Sequence, residues 1–340
     1  MTTNNLPCPD ALFDQSLVKD SSVFVSRLDG SFAKIDWQAP WLRHLNQLNY
    51  ISKSIDELSH APQQAEVTII NDKPVEIVAD ILNTASKQQS KSAQKPLPTT
   101  KPIKNQQGYT LSFVSQNALC EGDSYESFIA TTGNIPTRDN LHDLFNGSIW
   151  LTFPKTKALL NHYHMLEIEQ QGIGASRGRV RDTITVFDEN GAVLVTSNTS
   201  LGEALIDFDW QGSLVEPRMR WDNPKQINNN SQAAVYIFGH ALLEQLIQPR
   251  KPLCAHSIVI NVSQDFFVLS TPERIAFLDN KLADYMNQLL SKDEVTPRHL
   301  SPLPILGVPH FWAENADADF YEDTYVFRSG RRKQGKSQNI

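Results

Sequence analysis

The stretch VRDTITVFDENGAVLVT, residues 180–196, carries the reading on which the fold class turns. From Val180 to Phe187 apolar and polar side chains alternate, and Ala192 to Thr196 is again rich in strand-forming residues. The four residues Asp188-Glu189-Asn190-Gly191 lie between them, and Asn-Gly is a strong hairpin signal. The spacing therefore predicts two antiparallel strands joined by a polar turn, with Asp188 and Glu189 explained as turn residues.

Helical signals surround this segment. Residues 124–131 read as a short helix closed by Gly133 and Pro136. Asp139 or Thr137 can cap a helix over residues 140–152, with Leu141, Leu144, Phe145 and Ile149 on one face. Pro154 suits the first turn of a helix continuing to about residue 170. Residues 234–238 and 255–262 are strand-like and flank a helix over 240–248. Thr271-Pro272-Glu273 opens a long amphipathic helix to about residue 291. Hairpins and helices without regular βαβ units predict an α+β domain with a mixed or antiparallel sheet and packed helices.

Composition sets the outer limits. The 340 residues are 40% hydrophobic, 20% charged and 9% aromatic, which describes a globular chain and excludes collagen-like or wholly disordered ones. A net charge of −7 removes the broad basic footprint of a nucleic-acid binder, so specific nucleic-acid contacts are not expected. The longest apolar runs, such as residues 233–238, are far short of a membrane span. The start of the chain lacks a basic segment followed by an apolar one, so no secretory signal is expected. Cys8, Cys120 and Cys254 form neither a disulfide ladder nor a metal knuckle, and a cytoplasmic location is the expectation. Cys120 and Cys254 read as small buried hydrophobes rather than nucleophiles.

One break in composition stands out. Residues 84–107 hold five lysines, three prolines and no acidic residue, which predicts a flexible insert. The expected organisation is one extended domain: an N-terminal part over residues 1–83, the insert, a main region over 108–328, and a basic tail over 329–340.

The polar residues that could carry chemistry cluster in two places. His142 and Asn146 stand four apart on one predicted helix, with Asp143 beside them, and Lys157, Asn161 and His164 share a face of the next. Arg181 and Asp182 open the predicted hairpin, and His240 and Glu244 are again four apart. Converging imidazoles and carboxylates can hold a divalent metal or transfer protons. A guanidinium such as Arg181 can grip a small anionic ligand in two places. His142, Asp143, His164, Arg181 and Asp182 are the expected catalytic set. Arg138, Asn146, Lys157, Asn161, His240 and Glu244 are its expected binding support, and His142, His164 and His240 the candidate metal ligands. Templates for a nucleophile elbow, a phosphate loop or a dinucleotide fingerprint are missing; the glycine-rich run 172–178 follows a helix and reads as a turn.

Longer stretches resemble a known family. SYESFIATTGNIPTRDNLHDLFNGSIWLTFPKTKALLNHYH (124–164), RGRVRDTITVFDENGAVLV (177–195), FGHALLEQL (238–246), SPLPILGVPHFW (301–312) and FYEDTYVFR (320–328) are similar, in family order, to the bacterial domain of unknown function 3025 family. The resemblance implies one extended domain. It places polar hallmarks on the eleven residues named above together with Asp188 and Glu189, without supplying their roles. Two positions depart from the pattern: His310 stands where glycine is expected, and Gly147 where alanine is usual. The resulting expectation is a hydrolase-like enzyme, with or without a metal. The alternative is a binding or scaffold protein that presents Phe311, Trp312, Phe320 and Tyr321 to a partner and uses the polar cluster structurally.

Overall fold

The computed structural model describes residues 28–59, 76–91, 103–171, 178–226, 230–292 and 294–330. The glycine-rich run 172–177, the tail beyond residue 330 and residues 92–102 of the expected insert lie outside them. In chain order come α1 (Asn49–Ser59), α2 (Ile77–Lys91), β1 (Ser112–Ser115), α3 (Tyr125–Thr132), β2 (Asn134–Thr137), α4 (Leu141–Thr152), α5 (Pro154–Gln171) and α6 (Arg179–Asn190). There follow β3 (Gly191–Thr196), α7 (Thr199–Ile206), β4 (Ala233–Ile237), α8 (His240–Gln245), β5 (Cys254–Asn261), α9 (Thr271–Leu290) and β6 (Ser301–Pro304).

The fold is α+β with a mixed sheet of order β4-β3-β5-β6. Strand β3 runs antiparallel to β4 and parallel to β5, and β6 closes the other edge antiparallel to β5. Every residue of β3 and β4 is buried, because helices cover the sheet and leave no polar face to alternate. A second, two-stranded sheet pairs β1 with β2 in parallel. One hydrophobic core runs through both parts.

The opening segment departs from its sequence reading. Residues 179–190 form helix α6, not a strand, and Asn190-Gly191 is the junction from helix to β3 rather than a hairpin turn. The apparent alternation also places Thr183, Ile184 and Phe187 on one helical face, and all three are buried. Burial of that face outweighs the modest helix propensity of its threonines and valines.

This junction positions the candidate site. Strands β3 and β4 are antiparallel, so the start of one lies beside the end of the other. The N–H groups of Phe238 and Gly239 both donate to the carbonyl of Gly191, at 2.9 and 2.8 Å. The C-terminal turn of α6 and the N-terminal turn of α8 therefore meet at one end of the sheet. A Cβ on Gly239 would stand 2.5 Å from Glu189 O and from Gly191 N, so only glycine permits this approach.

Helices α4 and α5 follow their sequence signals closely. The cap of α4 is Asn140 rather than the expected Asp139 or Thr137, its side-chain oxygen accepting from Asp143 N–H at 2.7 Å. Helix α5 begins at Pro154 and is capped across space by Asp279 of α9, which accepts from Lys155 N–H at 3.0 Å and Thr156 N–H at 2.9 Å. Parts of the segment 84–107 belong to regular structure. Helix α2 runs on to Lys91 with Ala85 buried, and buried Asn105 donates to the carbonyls of Ile129 and Ala130.

Three further expectations change. Phe311 and Phe320 are buried, and Tyr321 is half-buried with its hydroxyl donating to Gly307 O at 2.7 Å, so these three rings pack inward, while Trp312 is half-buried at the edge of a recess lined by Trp41, Leu243 and Ile247. Cys254 is free but exposed at the start of β5, and Cys120 is disulfide-bonded. The two departures from the family pattern also find their settings. His310 has φ +69°, the region that favours glycine, and a Cβ on Gly147 would collide with the side chain of Leu82 on α2.

Candidate functional site

Five side chains from three helices converge where α6 and α8 meet. Helix α4 packs on α8 and delivers His142; α8 supplies His240 and Glu244; the last turn of α6 supplies Asp188 and Glu189. His240 Nε2 lies 3.0 Å from His142 Nε2, with the rings nearly perpendicular at 78°. Glu189 Oε2 is 3.5 Å from His240 Nε2. Donor atoms of His142, His240 and Glu189 all lie within 4.8 Å of one another, the group of metal-ligating side chains found among the described residues.

Each imidazole is backed by a further carboxylate. His142 Nδ1 meets Glu244 Oε2 at 3.2 Å, and His240 Nδ1 faces Asp188 Oδ2 at 3.8 Å. His240 Nδ1 is buried and has no hydrogen-bond partner at bonding distance. At 3.0 Å the two Nε2 atoms share one proton as an N–H···N hydrogen bond, or, with both rings protonated at Nδ1, turn two lone pairs toward a common cation. Two histidines on a tetrahedral zinc ion with Zn–N near 2.0–2.1 Å place their nitrogens about 3.3 Å apart. The residues thus fit a two-histidine, one-carboxylate site with outer carboxylates fixing both rings.

Exposure separates a floor from a mouth. The His240 side chain is 4% exposed, whereas His142, Glu189 and Glu244 are 33%, 35% and 41% exposed. The shared donor point is therefore reachable from solvent. Burial pushes the His240 pKa down to about 4, against the opposing pull of Asp188, so this ring is neutral at pH 7 as a ligand must be. Burial and the neighbouring Asp188 raise Glu189 above its ordinary value. For Asp188, burial pushes up, but the charges of Lys157 and His240 outweigh it and hold the carboxyl below the usual range.

Behind the centre lies a largely buried polar chain. Lys157 Nζ donates to Asp188 Oδ1 at 2.6 Å, to Oδ2 at 2.9 Å and to Asn146 Oδ1 at 2.9 Å. Asn146 Nδ2 in turn donates to Tyr125 OH at 3.0 Å, and burial raises the Tyr125 pKa well above its ordinary value.

Of the residues singled out from sequence, His142, His240 and Glu244 meet directly, and Asn146 and Lys157 join through Asp188. The others are elsewhere. Arg138 holds buried Asp143 in a two-pronged ion pair at 3.0 Å for each bond, which secures the start of α4. Asn161 donates to Glu126 at its carbonyl and at its carboxylate. His164 lines a narrow recess with Tyr125, Trp150, Lys157 and Asp188. Its Nδ1 is buried without a hydrogen-bond partner, and it is not within ligand reach of the histidine pair. Asp182 is exposed in the first turn of α6, and Arg181 stands about 10 Å along that helix from Asp188 at 1.5 Å per residue. The family resemblance marks Asp188 and Glu189, but the hairpin interpretation explains them as turn residues and keeps them out of the expected site. A helical reading of residues 180–190 would have exposed them as acids on a helix end.

Fold and site together define an α+β protein with a histidine–carboxylate centre at the junction of its sheet and three helices. The chain belongs to the family of proteins of unknown function DUF3025, whose model matches residues 111–331. That range holds all five converging side chains. No curated protein and no solved structure matches the chain. Among the described residues no helix is long and apolar enough to cross a membrane.

Proposed function

We propose that this protein binds a divalent transition metal through His142 Nε2, His240 Nε2 and Glu189, and that it is a hydrolase-like enzyme using that centre. The observation that carries the reading is the 3.0 Å approach of two Nε2 atoms whose opposite nitrogens both face carboxylates. Two imidazoles and a carboxylate suit Zn²⁺, Fe²⁺, Co²⁺ or Mn²⁺ and leave coordination positions open to solvent. A divalent ion there supplies Lewis-acid polarisation and water activation near neutral pH. Glu244, exposed and held on His142, is the carboxylate available for proton transfer at the mouth.

The rival reading, a binding or scaffold protein with a structural polar cluster, draws support from the saturated Lys157 ammonium. It gains none from the exposed mouth of the centre. The two readings separate in one experiment. Metal-reconstituted protein is assayed against generic ester and phosphoester substrates before and after chelation, beside Glu189→Gln. Metal-dependent turnover lost in the variant supports the enzyme; metal binding without turnover on any substrate supports a metal-stabilised scaffold.

A further inference from the structure

Lys157 spends all three of its N–H donors inside the protein. Two go to the oxygens of Asp188 and the third to Asn146 Oδ1. The side chain is 6% exposed, and its ammonium lies 5.3 Å from the ring centroid of Trp150. A lysine so enclosed has no donor left for a substrate. Its role has to pass through the group it holds.

That group is Asp188, whose Oδ2 lies 3.8 Å from the buried Nδ1 of His240 and whose backbone also interacts with that ring. A carboxylate aimed at Nδ1 favours the tautomer that carries its proton there. The lone pair is then left on Nε2, the atom facing His142 and Glu189. His142 receives the same support from Glu244, but Glu244 is exposed and needs no internal counter-charge. Asp188 is mostly buried and shares its end of α6 with Glu189. A fixed cation beside it compensates charge that water cannot.

We infer that Lys157 is a positioning residue for the metal centre, acting by orienting Asp188 so that His240 presents an unprotonated Nε2. The inference rests on the metal reading above and extends it to a residue that touches neither metal nor substrate. Tyr125 and Asn146 continue the chain, because Asn146 fixes the third Lys157 proton and is itself tied to the tyrosine hydroxyl.

The test uses the full chain freed of metal, with Zn²⁺ titrated into wild type, Lys157→Met, Lys157→Arg, Asp188→Asn and the Lys157→Met/Asp188→Asn double variant. Imidazole ¹⁵N spectra of the metal-free proteins are recorded alongside. The expected result is a 10- to 100-fold loss of Zn²⁺ affinity in Lys157→Met and in Asp188→Asn, as for other outer partners of metal ligands. Lys157→Arg restores most of it. The double variant is no worse than either single one, because both act through one contact. The His240 spectrum moves from the Nδ1–H to the Nε2–H form in Lys157→Met. Wild-type affinity and an unchanged His240 tautomer in Lys157→Met overturn the inference, as do fully additive losses. If Lys157→Met fails to fold, Asp188→Asn carries the same readouts, and a wild-type tautomer there overturns it. If wild type itself binds no Zn²⁺, the metal reading fails while the tautomer spectra still decide the role of Lys157.

Discussion

Gly239 lies against the last turn of α6 so closely that a Cβ there would stand 2.5 Å from Glu189 O and 2.6 Å from Asn190 Cα. Every atom it would meet is backbone, so nothing can swing aside. Gly239→Ala is therefore expected to push α8 away from α6, at about 1–3 kcal/mol by the usual cost of overpacking. Because His240 and Glu189 ride on the two displaced segments, Zn²⁺ affinity should fall together with stability. Chemical denaturation and metal titration of the same variant check both. A variant destabilised with unchanged affinity would separate the junction from the site.

Asp279 supplies the N-terminal cap that α5 lacks from its own sequence, accepting from Lys155 N–H, Thr156 N–H and the Thr156 hydroxyl. Asp279→Ala removes the acceptor of the Lys155 and Thr156 N–H groups, leaving the Thr156 hydroxyl only the backbone carbonyl of residue 279, and should cost about 1–3 kcal/mol. The drop is measurable as a lower denaturant midpoint with an unchanged slope. Retained stability would show that α5 needs no tertiary cap.

Acid should weaken the fold through His44. This ring is buried between Phe153 and Tyr236, and burial followed by the charge of Arg43 pushes its pKa down to about 3. In the unfolded chain it titrates near 6.5, so between about pH 6.5 and 3 the unfolded state binds the extra proton. Stability is therefore full above pH 6.5 and is lost as pH falls, by about 2 kcal/mol from this residue between pH 7 and 5. Unfolding measured at both pH values, in wild type and His44→Phe, checks the sign. The variant should show a shallower fall, and an equal fall in both would remove His44 from the account.

Asp222 is the shared acceptor for two arginines, Arg43 and Arg274, each at 2.7 Å. The contact joins the N-terminal segment, the loop before β4 and helix α9. Asp222→Ala leaves two mostly buried guanidinium groups without their carboxylate and should cost about 3–5 kcal/mol. Loss of both charges at once, in Asp222→Asn with Arg43→Met, should cost less than the sum of the single changes.

Much of this architecture is legible in the amino-acid sequence because caps and prolines mark it. Pro154 and Pro272 mark the starts of α5 and α9, and polar residues mark that of α4, although the caps themselves are Asn140 and Ser270, each one residue from those the sequence singles out. Helix α6 is not legible, since alternating β-branched residues satisfy a strand and a helix alike until Ile184 and Phe187 find a common core face. The same ambiguity hides half of the site. His142, His240 and Glu244 stand out as polar residues at helical spacing, but the contact of two histidines 98 positions apart depends on where β3 meets β4. Glu189 comes into reach only because α6 is a helix that ends there. Asp143 and Asn161, equally prominent in the sequence, are absorbed by Arg138 and Glu126.

The central claim is the shared cation between His142 and His240, and titration of the metal-free full chain with Zn²⁺ and Co²⁺ tests it most directly. Binding is expected at one ion per chain, abolished in His142→Ala and in His240→Ala and retained in His164→Ala, which lies outside the centre. Stoichiometric binding that survives both of the first two substitutions, or a folded wild-type protein that takes up neither ion, would contradict it.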